Sequence, residues 1–125
     1  MALITTDSAR VTIGCAITVH RTLGPGLFES VYGPCMAHEM TKAGLGFDQQ
    51  VAVPIVYDGV VFDNPFRADF IIEDELLVEL KSVERLLPVH DTQVLTYMKL
   101  SGIRKGLLIN FNTTLLRDGL KSFVL

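Results

Sequence analysis

Apolar residues recur along this chain with two periods, near 3.6 in the first third and in one later segment, and near two elsewhere. From about Ser8 to Leu23, Val11, Cys15 and Val19 with Ile13 and Ile17 supply the broad apolar face of a helix. Thr5, Thr6 or Asp7 can cap it, and Gly24-Pro25-Gly26 ends it. Phe28, Val31, Tyr32, Cys35, Met36, Met40 and Ala43 then repeat at three- and four-residue spacing, which predicts a second helix closed by Gly44 and Gly46. Gly33-Pro34 lies inside that pattern. An interior proline removes a backbone bond and crowds the preceding turn, so a kink or short break is expected there.

From Phe47 the period changes to two. The run 47–62 reads as a long strand and a short return strand around Asp58-Gly59, with Pro54 implying an edge or a bulge. Residues 66–83 read as two more strands around Glu73-Asp74-Glu75. Pro88 and the cap candidates His90, Asp91 and Thr92 open a helix to about Leu100, ended by Gly102. Leu107-Leu108-Ile109 is a continuous apolar run, as in a strand covered on both faces, and 119–124 supplies a last strand or edge segment. Strand, helix, strand calls for a right-handed crossover. The predicted class is α/β, a mixed β-sheet flanked by helices.

At 125 residues the chain is expected to be a single domain, 1–125, burying roughly two-thirds of its unfolded surface around one core. The first ten residues lack the basic segment and apolar core of a signal peptide, and no apolar run is long enough to span a bilayer. A cytoplasmic protein without a membrane partner is expected. Cys15 and Cys35 are too few for a zinc cage and sit in apolar helical surroundings, as buried free thiols do. His20, His38 and His90 stand apart from one another, and none is assigned to a metal. The net charge of −3 weighs against strong non-specific binding of nucleic acid, which rests on Lys and Arg neutralising phosphates.

The hairpin at 66–83 concentrates the chemistry. A three-residue loop over Glu73-Asp74-Glu75 sets Asp69 opposite Glu79. Alternation then gives one apolar face of Phe66, Ala68, Phe70, Ile72, Leu76, Val78 and Leu80, and a second face carrying Arg67, Asp69, Ile71, Leu77, Glu79 and Lys81. A two-residue loop would instead turn Asp69 away from Glu79. Facing carboxylates repel by roughly 0.2–1 kcal/mol when exposed and by more when desolvated. Such a pair calls for a cation, either Lys81 or a divalent metal. An E-x-K triplet alone describes many solvated sheet faces.

In the following helix Gln93 and Tyr97, four residues apart, can hold a phosphate near the helix N-terminus. Taken alone the pair reads more readily as a surface amide and a core aromatic. Glu29 lies on the second helix with Tyr32 on the same side.

These residues carry a family resemblance over about 13–124. The stretch 24-GPGLFESVY-32, followed in order by 67-RADF-70, 78-VELK-81, 88-PVHDTQVLTY-97 and 106-GLLINFN-112, resembles the GxxExxY proteins. That family is grouped with the PD-(D/E)xK nucleases, whose pattern Asp69, Glu79 and Lys81 match, with Glu29 as the acidic residue of a preceding helix. Ala68 stands where many members have proline. Gln93 and Tyr97 resemble the Q-x-x-x-Y motif of some of these nucleases.

The resemblance implies a restriction-endonuclease-like fold and a nuclease using Mg²⁺ or Mn²⁺ to hydrolyse phosphodiester bonds in DNA or RNA. Asp69, Glu79, the Leu80 carbonyl and Glu29, directly or through water, would hold the metal. Lys81 would act on water or on the transition state, and Gln93 and Tyr97 would bind phosphate. On duplex, a homodimer would place one site on each strand. The alternative is a catalytically inactive nuclease-fold binding or assembly module, which the negative net charge favours and the complete Asp69, Glu79, Lys81 set opposes.

Overall fold

The structure, a computed structural model describing residues 7–63 and 66–125, begins with helices α1 (Asp7–Leu23) and α2 (Glu29–Lys42). Strands β1 (Phe47–Ala52), β2 (Ile55–Tyr57), β3 (Val60–Phe62), β4 (Arg67–Ile72) and β5 (Leu76–Lys81) follow. Helix α3 (Pro88–Ser101), strand β6 (Lys105–Asn110), a 3₁₀ turn over Leu116–Gly119 and strand β7 (Leu120–Val124) complete the order. One sheet runs β1-β4-β5-β6-β7, while β2 and β3 form a separate ribbon. Only β5 and β6, joined through α3, pair in parallel; the other neighbours are antiparallel.

The sheet is apolar on both sides. Phe70, Ile72, Val78, Leu80 and Ile109 pack with Ala16, Tyr32, Met36 and Met40 of α1 and α2. Leu77 and Leu108 pack with Val94, Tyr97 and Met98 of α3. Leu107, Leu108 and Ile109 are fully buried, as their unbroken apolar run predicts. At Gly106 a Cβ would lie 2.5 Å from Met98 Sδ and 3.0 Å from Val94 Cγ1. The missing side chain therefore lets α3 settle onto β6, beside Leu77 of β5.

Several expectations are revised. In α1 the buried face is Ser8, Ala9, Thr12, Cys15, Ala16, Val19 and His20, and Val11 and Ile17 are exposed. The buried polar groups are satisfied: Thr12 Oγ1 donates to the Ser8 carbonyl at 2.7 Å, and His20 Nε2 lies 2.7 Å from the Thr113 carbonyl. The cap candidates Thr5 and Thr6 lie outside the described residues, and Asp7 is already helical. Cys15 is buried and Cys35 half-buried.

Gly33-Pro34 does not break α2, which continues through Pro34 to Lys42. The proline lies in the second turn, and the bond it forfeits would have gone to the carbonyl of exposed Ser30, where water is available. The long strand at 47–62 is split at Pro54 into β1, in the main sheet, and β2, in the ribbon. The turn between β2 and β3 uses left-handed backbone at Asp58 (φ 53°) and Gly59 (φ 73°), as a two-residue hairpin loop requires.

Helix α3 starts at Pro88, earlier than the cap candidates suggest. Proline is preorganised for a first helical position. His90 Nδ1 accepts the Leu87 N–H at 2.9 Å, and Asp91 pairs with Lys121. Ala68 also leaves the expected apolar face and joins the cluster on the α3 side, just beyond the last ladder pair of β4 and β5, Phe70 with Val78. Phe66, expected on the same face, is exposed.

Candidate active site

The β4–β5 hairpin turns through Glu73 and Asp74, both with left-handed backbone (φ 52° and 55°). Its register pairs Ile72 with Leu76, Ile71 with Leu77 and Phe70 with Val78. Continued by one residue, it places Asp69 against Glu79, as the three-residue loop predicts. There the backbone ladder gives way to side chains. Asp69 N–H donates to Glu79 Oε1 at 3.0 Å, and Leu80 N–H donates to Asp69 Oδ2 at 2.7 Å. Each carboxylate thus accepts from the opposite strand, and the strands separate between them.

A residue that sequence reasoning missed completes this corner. Gln50 of β1 lies between the pairs Gln49–Phe70 and Val51–Ala68, hence opposite Asp69. Its Nε2 donates to Asp69 Oδ1 at 3.0 Å, and its backbone is left-handed, with φ 52°. That conformation costs a non-glycine residue on the order of 1–3 kcal/mol. Nothing local marks Gln50, since it only closes the polar run Asp48-Gln49-Gln50.

Glu29 reaches the site from the first turn of α2. Its Oε1 accepts the Ser82 N–H at 3.2 Å, just past the end of β5. Tyr32 fixes the approach to that turn: its hydroxyl donates to the Gly24 carbonyl at 2.6 Å and accepts the Leu27 N–H at 3.2 Å. Its ring is stacked on Phe111 with centroids 4.3 Å apart. Ser82 Oγ also donates to the Leu27 carbonyl. From the other side, Asn110 both accepts the Val83 N–H and donates to the Val83 carbonyl, while the Lys81 carbonyl accepts the Phe111 N–H. The exit of β5, immediately after Lys81, is therefore held from both sides.

Helix α3 covers the site. Tyr97 is buried among Val94, Met98 and Leu108, and Gln93 Nε2 donates to its hydroxyl at 3.3 Å. Burial pushes the Tyr97 hydroxyl pKa up, and the charges of Glu79 and Asp69 push it further. Tyr97 is thus a core aromatic, as the pair taken alone suggests. Because α3 begins at Pro88, Gln93 and Tyr97 lie in its second and third turns. The helix N-terminus therefore lies away from this pair.

The site is short of positive charge. Burial, then the charge of Asp69, pushes the Glu79 carboxyl up to about 8; the Asp69 N–H and Lys81 oppose this. Burial likewise raises Asp69, and Glu29 adds to it, against the Leu80 N–H, Gln50 and Lys81. Lys81 enters none of the ion pairs among the described residues.

Among the described residues no three His, Cys, Asp or Glu side chains converge into a metal cage. Glu29 accordingly stands outside the Asp69–Glu79 pair, held on Ser82. Two hard oxygen donors in a negative corner still suit a cation that keeps much of its water, as Mg²⁺ does. The Leu80 N–H points toward β4. A strand residue's carbonyl points to the same edge as its N–H, so the Leu80 carbonyl faces that corner too.

A family model described as the PD-(D/E)XK nuclease superfamily matches residues 6–123. No curated protein and no solved structure matches the chain. Members of that superfamily generally use divalent metals, and the mixed five-stranded sheet flanked by three helices is its restriction-endonuclease-like α/β arrangement.

Proposed function

We propose that this chain, which belongs to the PD-(D/E)XK nuclease superfamily, is a Mg²⁺- or Mn²⁺-dependent nuclease that hydrolyses phosphodiester bonds in nucleic acid. Within the superfamily we assign it to the GxxExxY proteins, on the stretch 24–32. The observation that carries the reading is the facing pair Asp69 and Glu79. Each is hydrogen-bonded to the other strand's backbone, and each is raised in pKa by burial, which Lys81 only partly opposes.

Asp69, Glu79 and the Leu80 carbonyl would hold the ion, with Glu29 acting through water. A bound ion of this kind acidifies a coordinated water and neutralises charge developing at phosphorus. Lys81 would donate to that water or to a phosphoryl oxygen. Loss of such a donor typically costs on the order of 10²–10³ in rate. Gln93 and Tyr97 would donate to phosphate oxygens, which positions the backbone without reading sequence. A homodimer would serve duplex cleavage. Among the described residues no helix is long and apolar enough to cross a membrane.

The test combines cleavage with metal binding. Single- and double-stranded DNA and RNA are incubated with Mg²⁺ or Mn²⁺, and Glu79→Gln serves as the control for contaminating nuclease. Wild type alone should cleave. Mn²⁺ should also raise the melting temperature of wild type but not of Asp69→Asn, because binding to the native state contributes about 2.7 kcal/mol at a hundredfold excess over Kd. Equal cleavage by wild type and Glu79→Gln, with no response to Mn²⁺, would favour the inactive binding module.

A further inference from the structure

A groove of about 540 Å³ runs between the foot of the β2–β3 ribbon and the outer face of α3. Its walls include Ile55, Phe66, Val89 and Leu100, and its inner end is formed by Gln93 and Tyr97. The walls meet water: Phe66 is 59% exposed and Val89 63%. The inner end adjoins the strand that carries Asp69, since Tyr97 packs in one cluster with Ala68, the residue before it. A phosphate held between Gln93, Tyr97 and the carboxylates would leave its nucleoside at the mouth of the groove.

We infer that the groove receives an unstacked base beside the scissile phosphate, so that the preferred substrate is a single strand. This rests on the nuclease reading above. Three observations select the occupant. The groove falls within the roughly 300–1,000 Å³ of small-ligand sites, and its apolar walls with the exposed Phe66 ring suit a base, whose flat face stacks on aromatic rings. With its N–H groups turned to the Tyr97 hydroxyl and the phosphate, Gln93 leaves its amide oxygen as an acceptor for a base edge at the inner end. Finally, the segment from Phe47 to Phe66 contains no Lys or Arg but includes Asp48, Asp58 and Asp63. The ribbon is therefore no phosphate-tracking wing, and on that side of the groove stacking supplies the affinity. A duplex keeps its bases stacked inside and offers the groove nothing apolar.

The experiment uses Asp69→Asn protein, in which cleavage is disabled, and fluorescein-labelled oligonucleotides of one sequence as single-stranded DNA, single-stranded RNA and the corresponding duplexes. Anisotropy should show single strands binding at least about tenfold tighter than duplexes. Adding Phe66→Ala should weaken single-strand binding about tenfold, within the range measured for base–aromatic stacking. Phe66→Trp should restore it, and duplex binding should not change.

Duplex binding as tight as single-strand binding overturns the inference, as does an equal loss in both on Phe66→Ala. So does a dimer in sedimentation that Phe66→Ala dissociates without loss of single-strand affinity, because the groove would then seat a second copy of the chain. Absence of binding to every oligonucleotide also overturns it. The Mn²⁺ shift in wild-type melting temperature reads the carboxylate corner separately. Flat metal response with Phe66-dependent single-strand binding sinks the nuclease reading and keeps the groove; a normal metal response without Phe66 dependence does the reverse.

Discussion

Replacing Glu79 by glutamine should stabilise the metal-free protein at neutral and alkaline pH. Glu79 is 4% exposed, and its pKa is raised from the ordinary 4.5 to about 8 by burial and by Asp69. An acid whose folded pKa lies above its unfolded one binds more protons when folded. Its stabilising form is complete below pH of about 4.5 and is lost as pH rises toward 8. The loss reaches on the order of 3 kcal/mol at pH 7 and about 5 kcal/mol above pH 9. Glutamine keeps an oxygen to accept the Asp69 N–H and carries no charge to desolvate. Urea unfolding in EDTA between pH 5 and pH 8.5 reads the effect, with the slope against urea held common. Wild-type stability should fall across this range, Glu79→Gln should vary much less, and the two should converge near pH 5. Mn²⁺ should reverse the order at pH 8 by stabilising wild type alone. Wild-type stability that is flat or rising from pH 5 to pH 8, or a glutamine variant less stable than wild type at pH 8, would refute the reasoning.

Lys81→Ala should lower cleavage by about 10²-fold or more while the Mn²⁺ shift in melting temperature persists, because a removed cation no longer competes for the carboxylates. Gln50→Ala should move the acidic limb of the pH–rate profile upward, since the Gln50 donor holds the Asp69 pKa down; an unchanged limb would reduce Gln50 to a strand residue. Tyr32→Phe retains the stack on Phe111 but loses both hydroxyl bonds to the turn before α2. Urea unfolding should show a loss of about 1–3 kcal/mol, and cleavage should fall as Glu29 loses its placement.

What was legible in the sequence was mostly local. The Asp69–Glu79 facing follows from loop length and alternation within one hairpin. The parallel partnership of β5 and β6 follows from strand, helix, strand order. Gln50 was illegible because its role requires β1 to pair with β4, a choice local pattern does not make, and because its left-handed backbone has no glycine to announce it. The α1 face was misread for a different reason. Apolar spacing selects Val11 and Ile17, whereas the helix buries Thr12 and His20 at no great cost because backbone carbonyls receive them. Glu29 stood out only through the resemblance, since a glutamate in a first helical turn is ordinary; what sets it apart is the Ser82 N–H, which is distant in sequence. Pro34 shows that a strong local breaker is tolerated where the orphaned carbonyl remains wet.

The crossed bonds that join Asp69 and Glu79 to the opposing strands also bear on how this site would decay in descendants released from cleaving anything. Both side chains close the end of the hairpin by accepting N–H groups, so selection for folding alone would still oppose their loss to alanine. An amide oxygen accepts the same bond without the repulsion that burial enforces on the carboxylates. Drift in such a lineage should therefore run toward asparagine at 69 and glutamine at 79, leaving an intact fold with a neutral corner. Retention of both charges is the costlier state, and folding by itself gives no reason to keep it.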